Sequence, residues 1–348
     1  AFMPFMASSL VFRHVNQSAV IAGASAAMVV HFLVGIYQAV MFSRGVFPFP
    51  ALYQNPGFFS FANDEYATLV GRPFGLYPEA SAMAASLGPW IVMITGFLLN
   101  SRSRGQMPLR VRRLAVAGVL AGTALELLSR SGYVVALIVC LMMLGVPRGK
   151  ALASHLFLTL MGAICLGGFA WAAVASLGDR LSLETNTSWQ LRIQSIEMGL
   201  GLLNDSTRSL FFGVGTGLAS LTMAENFPGY RVPGSDTQII TIWSVIGRYV
   251  LETGLVGIVA LVVSVSIVCR GVARSGARLV GLAAMTAWLL GQGLGTSYFA
   301  LGSPWLFFGV LLTWPTFFPA EDPVVRSSRR SERIVNPQGA DLPIRRLL

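Results

Sequence analysis

The sequence predicts an all-α fold, a polytopic bundle of transmembrane helices with a large, partly helical loop on one side. Of the 348 residues, 54% are hydrophobic and only 11% are charged, and the mean hydropathy is +0.66. Apolar runs of about 18 residues or more recur along the chain, which is the length a helix needs to cross a bilayer. This composition excludes a soluble domain, whose surface needs far more polar residues.

Eight apolar segments are predicted to cross the membrane. They are Ser18–Phe42, Ala82–Leu99, Leu114–Leu128, Gly132–Leu144, Ala151–Ala175, Tyr249–Cys269, Leu279–Leu294 and Pro304–Phe318. The third and fourth are shorter than the about 20 residues that a crossing helix needs, so we expect their ends to extend further. Because the sequence starts at Ala1, without a methionine, we also expect additional helices upstream.

Basic residues orient the predicted bundle. The net charge is +10, Lys150 is the only lysine, and most arginines lie near residues 102–113 and 270–278 and after Phe318. With eight spans, all of these cations fall on one side, which the positive-inside rule assigns to the cytoplasm. The basic balance therefore reflects topology and not nucleic-acid binding.

This topology leaves two long segments on the opposite, outer side, near residues 41–81 and within 177–248. The predicted organisation is N-terminal helices (1–176), a large outer loop with an interfacial helix (177–248), C-terminal helices (249–319) and a disordered cytoplasmic tail (320–348). The large loop is not of low complexity and is rich in aromatic residues, so we expect it to fold. The positive-inside rule does not account for its arginines.

Arg192 lies in TSWQLRIQSIEMGLGLL, residues 187–203. The spacing of Trp189, Ile193, Ile196, Leu200 and Leu203 predicts an amphipathic helix in the membrane interface, with Arg192 at the edge of its apolar stripe. A guanidinium at headgroup level can bind a phosphate through its planar fork. The alternative is an ordinary surface arginine.

Arg72 and Glu79 lie in GRPFGLYPEASAMAASL, residues 71–87. Pro78 and Glu79 suit a helix start, where the macrodipole favours a carboxylate, so Glu79 is either a helix-start charge or a base at the mouth of the bundle. Arg72 either binds substrate or pairs with Asp64 or Glu65.

Other charged pairs are spaced for structural contacts. Glu126 and Arg130 are four residues apart, as are Arg248 and Glu252 at the outer start of a predicted span.

FFGVGTG, residues 211–217, lacks the context of a nucleotide loop, and we interpret it as a turn.

Histidine and cysteine do not suggest a metal centre. The three histidines, His14, His31 and His155, all fall outside the outer loops, and the three cysteines lie in apolar segments. We therefore predict no metal and no other cofactor, and we expect any outer-face chemistry to use carboxylates, arginines and hydroxyls.

Four stretches, in order, resemble segments of the O-antigen polymerase/ligase superfamily, whose members are membrane glycosyltransferases acting on undecaprenyl-pyrophosphate-linked glycans. GRPFGLYPEASAMAASL and LLSRSGYVVALIV are similar to the family's arginine–glycine–aromatic–glutamate and serine–arginine segments. SWQLRIQSIEMGLGLLNDSTRSLFFGVGTG is similar to its arginine-bearing periplasmic helix leading into G–x–G–x–G. RYVLETGLVGIVALVV is similar to its E–x–G segment, so the likeness runs from about Arg72 to Val263.

The resemblance implies a GT-C-like architecture and an inverting glycosyltransferase in the bacterial inner membrane, with its active site on the periplasmic face. With the residue patterns, it gives Glu79 and Arg192 as catalytic residues. The expected substrate-binding residues are Arg72, Arg130, Arg208, Arg231 and Arg248. The implied partners are the undecaprenyl-pyrophosphate-linked glycan, membrane lipid, a chain-length regulator and a flippase, with no nucleic acid.

Three functions stay open at this point. Ligase members usually carry a histidine shortly before the E–x–G segment, and GSDTQIITIWSVIGRYVLETG has none. This favours a polymerase of O-antigen, capsule or exopolysaccharide repeats over a ligase that transfers glycan to lipid A core. A lipid-linked glycan transporter is the alternative from another class, and it should show paired repeats and broken helices at mid-membrane.

Overall fold

The structure is a computed structural model, and every regular element in the residues it describes is helical. It describes residues 16–46, 48, 73–77, 80–99, 107–128, 187–229, 242, 244–275, 277–295 and 302–317. The elements are α1 (Gln17–Phe42), α2 (Ala80–Leu99), α3 (Leu109–Leu128), α4 (Thr187–Leu203), α5 (Thr207–Phe212), α6 (Ala219–Asn226), α7 (Val245–Ala273), α8 (Arg278–Leu290), a π-helical turn (Gly291–Gly295), α9 (Gly302–Leu312) and α10 (Trp314–Phe317). The predicted all-α class is confirmed for this part of the chain.

Three helices are long and apolar enough to cross a membrane. They are α1 with 26 residues, the 18-residue stretch Ala82–Leu99 of α2, and α7 with 29 residues. Each coincides with a predicted span, and together they fit a membrane protein. Two predicted spans, Gly132–Leu144 and Ala151–Ala175, and the tail lie outside the described residues, so the count of eight spans stays a prediction.

Three further predicted spans are helical with shifted ends. α3 begins at Leu109 and not at Leu114, so its first turns carry part of the arginine-rich stretch of residues 102–113. α8 ends at Leu290 and continues as the π-helical turn, and α9 is followed by the short α10.

α1 and α3 pack closely along a line of small residues. A Cβ added at Gly118 of α3 would lie 2.7 Å from Ser25 Cα of α1, and one at Gly122 would lie 2.8 Å from Met28 Sδ. Gly35 of α1 is in turn covered by Leu125 of α3. The contacts advance along both helices in the same direction, so α1 and α3 run parallel. Small residues that let two backbones approach are typical of helix pairs in membranes.

α2 packs against α8 and α9, and aromatic side chains connect α9 to both α2 and α8. Trp90 of α2 meets Phe307 of α9 edge-on, with ring centroids 5.0 Å apart, and Trp288 of α8 stacks on Phe308 at 4.8 Å. Gly96 of α2 lies against Val280 of α8. These contacts form the main core, and they join α8 and α9 to the α1–α3 pair through α2.

α7 is broken at Gly254, whose φ of 62° and ψ of −153° lie in a region that only glycine adopts readily. The predicted span Tyr249–Cys269 is helical, and the break falls near its start. In a straight helix, residues eight apart are separated by about 12 Å along the axis. Here a Cβ at Gly257 would lie 3.2 Å from Tyr249 Cε1, so the two parts of α7 bend towards each other at the break. Residues 255–273 rise about 28 Å, close to the thickness of a hydrocarbon core.

The described part of the predicted outer loop has a small core of its own. α4, α5 and α6 surround the first turns of α7, and the buried residues between them are Leu202, Leu203, Ala219, Met223, Ile242 and Leu251. This layer lies beside the break at Gly254. It therefore adjoins the end of the 255–273 stretch that topology predicts to be outer.

Substitution of Gly118 by alanine should destabilise the bundle, because the new methyl group would meet the backbone of Ser25. We expect a loss of about 1–3 kcal/mol in unfolding free energy, measured by thermal unfolding in detergent. Gly23→Ala is the matched control, since a Cβ at Gly23 meets nothing within 4 Å. Equal behaviour of the two variants would contradict the close α1–α3 packing.

Candidate functional site

The side chain of Gln38 holds a non-helical segment, residues 73–77, against α1. Gln38 is fully buried, and its Oε1 accepts hydrogen bonds from the backbone N–H groups of Phe74 and Gly75, both at 2.9 Å. Its Nε2 donates to the Gly75 carbonyl at 2.8 Å. One amide side chain therefore supplies the donor and the acceptor that the backbone of this segment needs.

His31 holds the rest of the same segment. Its Nδ1 accepts a hydrogen bond from the Leu76 N–H at 3.1 Å, and its ring stacks on Tyr77 with centroids 4.7 Å apart. The Tyr77 N–H donates to the Phe74 carbonyl at 3.2 Å. Gly75 has a φ of 61°, and a Cβ there would lie 2.8 Å from His31 Nδ1, so this position requires glycine.

The length of α1 indicates the depth at which the 73–77 segment lies. His31 lies about 16 Å along α1 from its end at Phe42, at about 1.5 Å per residue. α1 is about 39 Å long, which exceeds a hydrocarbon core of about 30 Å by only about 9 Å. With α1 spanning the bilayer, His31 lies within the hydrocarbon and Gln38, about 6 Å from the same end, lies near its edge. Non-helical backbone at such a depth persists only if the protein satisfies its polar groups.

α2 begins directly after this segment, and its first turns meet α7 through the π-helical turn. Gln292 is buried, and its Nε2 donates to the Ala85 carbonyl of α2 at 3.4 Å. Gly291 packs on Ala85, with a potential Cβ 3.0 Å from Ala85 Cα, and Gly293 faces Ile246 of α7. π-Helical turns are rare in proteins, and those that occur often lie at functional sites.

Arg248 and Glu252 form an ion pair one turn before the break in α7. Arg248 Nε donates to Glu252 Oε1 at 2.9 Å, and the side chains are 18% and 5% exposed. The predicted i, i+4 pairing is confirmed. Since this bond uses Nε, the guanidinium has further N–H groups for another acceptor.

The glycine-rich turn after α5 closes the break in α7. The N–H groups of Val214 and Gly215 donate to the carbonyls of Leu251 and Glu252 at 2.9 and 3.2 Å. A continuous helix would have satisfied these carbonyls internally. The interpretation of FFGVGTG as a turn is confirmed, and the turn supplies the hydrogen bonds that the break removes.

α4 packs on the same first turns of α7, but not through the whole predicted apolar stripe. Ser195 is fully buried and a Cβ at Gly199 would lie 3.6 Å from Leu251, while Ile193 and Leu200 are 39% and 49% exposed. The buried face is shifted because the small residues allow close approach. The register of α4 puts position 192 on the face of Ser195 and Gly199.

Glu126 of α3 is a buried acid in the same half of the bundle and is 1% exposed. It follows Gly122 by one helical turn, and a Cβ at Gly122 would lie 3.1 Å from Ile91 of α2. An ionisable residue inside a membrane bundle is a candidate functional residue by default. The position of its predicted partner Arg130 lies outside the described residues.

The described structure connects segments that carry three of the four motifs, with the π-helical turn as the bridge between α2 and α7. These are the start of α2, the α4 helix with the glycine-rich turn, and the first turns of α7. Arg208 is described and exposed on α5. Arg72, Glu79, Arg130, Arg231 and the side chain of Arg192 lie outside the described residues, so the predicted convergence of arginines on one cavity stays a prediction.

Sequence reasoning missed Gln38 and His31. Both looked like polar residues tolerated in an apolar span, and nothing in the spacing linked them to a segment about 40 residues later. A usable signal would have been the close succession of two hydrogen-bonding side chains in α1, because neither gains from contact with lipid.

The chain matches no protein-family model, no curated protein and no solved structure.

Replacement of Gln38 by leucine should release the 73–77 segment, because the N–H groups of Phe74 and Gly75 and the Gly75 carbonyl would lose their partners. Each orphaned buried group costs about 1–3 kcal/mol. We expect lower thermal stability and faster amide hydrogen exchange at Phe74 and Gly75. Gln17→Leu, the same change at the start of α1, is the control. Unchanged exchange in the Gln38 variant would contradict the clamp.

Proposed function

We propose that this chain is a membrane glycosyltransferase that polymerises undecaprenyl-pyrophosphate-linked oligosaccharide repeats at the periplasmic face of the bacterial inner membrane. The proposal includes a GT-C-like bundle with about eight spans. The observation that carries it is that α4 packs on the first turns of α7 and that the π-helical turn connects these turns to the start of α2. This packing gathers the segments whose sequences resemble the polymerase/ligase superfamily.

The proposed chemistry needs no metal. The hydroxyl oxygen of the acceptor sugar attacks the anomeric carbon of the lipid-linked donor, and the bond from that carbon to the pyrophosphate oxygen breaks. Arginines placed beforehand around the leaving pyrophosphate stabilise the charge that develops on it. Glu79 accepts the proton of the attacking hydroxyl as general base.

Each arginine has a role in this proposal. Arg192 binds the leaving pyrophosphate, and the register of α4 supports this because position 192 shares the face that packs on α7. Arg72, Arg130, Arg208, Arg231 and Arg248 bind the glycan or its phosphates. Arg248 is held by Glu252 through Nε, which orients its remaining N–H groups.

The ligase is the second candidate enzyme, and the absence of a histidine in residues 234–254 argues against it. One observed feature favours the transporter hypothesis, namely the broken helix at Gly254. This break lies at the end of the 255–273 apolar stretch and not in its middle, where transporter sites form. We therefore keep the polymerase as the proposal.

Arg192→Lys should abolish most of the polymerising activity while the protein still folds. A lysine keeps the charge but cannot bind two phosphate oxygens through a planar fork. The measurement is the length distribution of lipid-linked polymer in membranes. Arg278→Lys, at the opposite end of the bundle, is the control. A wild-type length distribution in the Arg192 variant would refute the role of Arg192.

Glu79→Gln should slow chain extension by about 10²–10⁴-fold, which is the usual contribution of a general base. Binding of the lipid-linked repeat should stay largely intact, because glutamine keeps the size and hydrogen bonding of glutamate. If Glu79 is only a helix-start charge, stability should change by about 0.3–1 kcal/mol with activity near normal. Glu225→Gln on the exposed surface of α6 is the matched control.

The assay also separates the candidate functions. Purified protein in liposomes receives a lipid-linked repeat, with or without lipid A core as acceptor. Chain extension by the wild type supports the polymerase. Transfer to lipid A core without extension establishes the ligase, and movement of the intact substrate across the bilayer without either transfer establishes the transporter.

A further inference from the structure

Four large apolar side chains at the end of α5 and the start of α6 lack cover from the residues that the structure describes. Phe211 and Phe212 are 46% and 66% exposed, and Leu218 and Leu221 are 45% and 55% exposed. All four lie in one short stretch of the chain, residues 211–221, and exposed apolar surface of this kind marks an interaction surface. We name these four residues the aromatic patch.

The position of the aromatic patch identifies what covers it. A Cβ at Gly254 would lie 2.7 Å from the carbonyl carbon of Phe211, so the end of α5 touches the break in α7. The residues that follow the break, Leu255 and Val256, are themselves exposed, and they begin the outward face of the 255–273 stretch. The aromatic patch is therefore continuous with a face that topology exposes to lipid.

Arg208 belongs to the same surface. Positions 208, 211 and 212 are spaced i, i+3 and i+4, so they share one face of α5. Arg208 is exposed, as are both phenylalanines. A cation beside aromatic side chains on one face is the arrangement of segments that lie in the membrane interface, with rings in the acyl boundary and the charge at the headgroups.

We propose that the aromatic patch inserts into the outer leaflet beside α7 and that Arg208 binds the phosphate of an anionic lipid there. The occupant is the bilayer itself and not a protein. This role removes Arg208 from the proposed substrate-binding residues, and it stands whether or not the chain is a glycosyltransferase. The inserted patch anchors the α4–α6 layer at the depth where the broken end of α7 emerges.

Photo-crosslinking of the full chain tests the insertion. Phe212 is replaced by the photoreactive benzoylphenylalanine in nanodiscs of phosphatidylethanolamine and phosphatidylglycerol, and adducts are identified by mass spectrometry. We expect phospholipid adducts at position 212 and at the lipid-facing position Val259, and none at Glu225 of α6. Lipid adducts at 259 without any at 212 would overturn the proposal. Adducts from 212 to a second copy or to another protein would also overturn it.

The same experiment tests Arg208. Arg208→Gln should lower the share of phosphatidylglycerol among the lipid adducts at position 212 about fivefold, because one interfacial cation is worth about that factor for an anionic lipid. Arg274→Gln, at the other end of α7, should leave the share unchanged. An unchanged share in the Arg208 variant would refute the headgroup contact. Inorganic pyrophosphate at constant ionic strength should not lower the share, whereas competition would assign Arg208 to a soluble phosphate.

Discussion

The hydrogen bonds of Gln38 are the interaction on which the arrangement of the described bundle depends. In hydrocarbon no water is present to satisfy a backbone N–H or carbonyl, so a chain that leaves the helical conformation there needs partners within the protein. Gln38 offers both an acceptor and a donor to Phe74 and Gly75, and His31 offers one more acceptor. Because this segment is held against α1, the chain is fixed close to the start of α2, and the π-helical turn connects that start to the first turns of α7.

The break at Gly254 meets the same constraint by a different route. Here the unsatisfied groups are carbonyls at the end of a helical segment, and the backbone N–H groups of Val214 and Gly215 satisfy them. The glycines of both partners allow two backbones to touch, since a Cβ at Gly254 would lie 2.6 Å from the Gly213 nitrogen. Gly213 and Gly254 are thus required by packing and not by a ligand.

Apolar length predicted the helices well, because the cost of placing charges in lipid leaves little freedom in where a span lies. It located α1 to within a residue, and charge spacing predicted the Arg248–Glu252 pair. It could not locate the Gly254 break, since glycine is common in intact membrane helices. The helical spacing of apolar residues also misjudged which face of α4 is buried. Ser195 and Gly199 lie on the buried face because small residues allow close approach. Of the candidate site, the clamp by Gln38 depends on contacts between distant residues, which periodicity does not encode.

The start of α2 brings the two interpretations of Glu79 together. Glu79 directly precedes Ala80, the first residue of α2, and the positive end of a helix favours a carboxylate most where the surroundings exclude water. Burial of any carboxylate opposes its ionisation. A base that is ionised yet able to take a proton needs both effects in balance. A helix-start charge and a general base are therefore not exclusive, because the dipole that stabilises the charge would also keep the base unprotonated until an acceptor hydroxyl arrives.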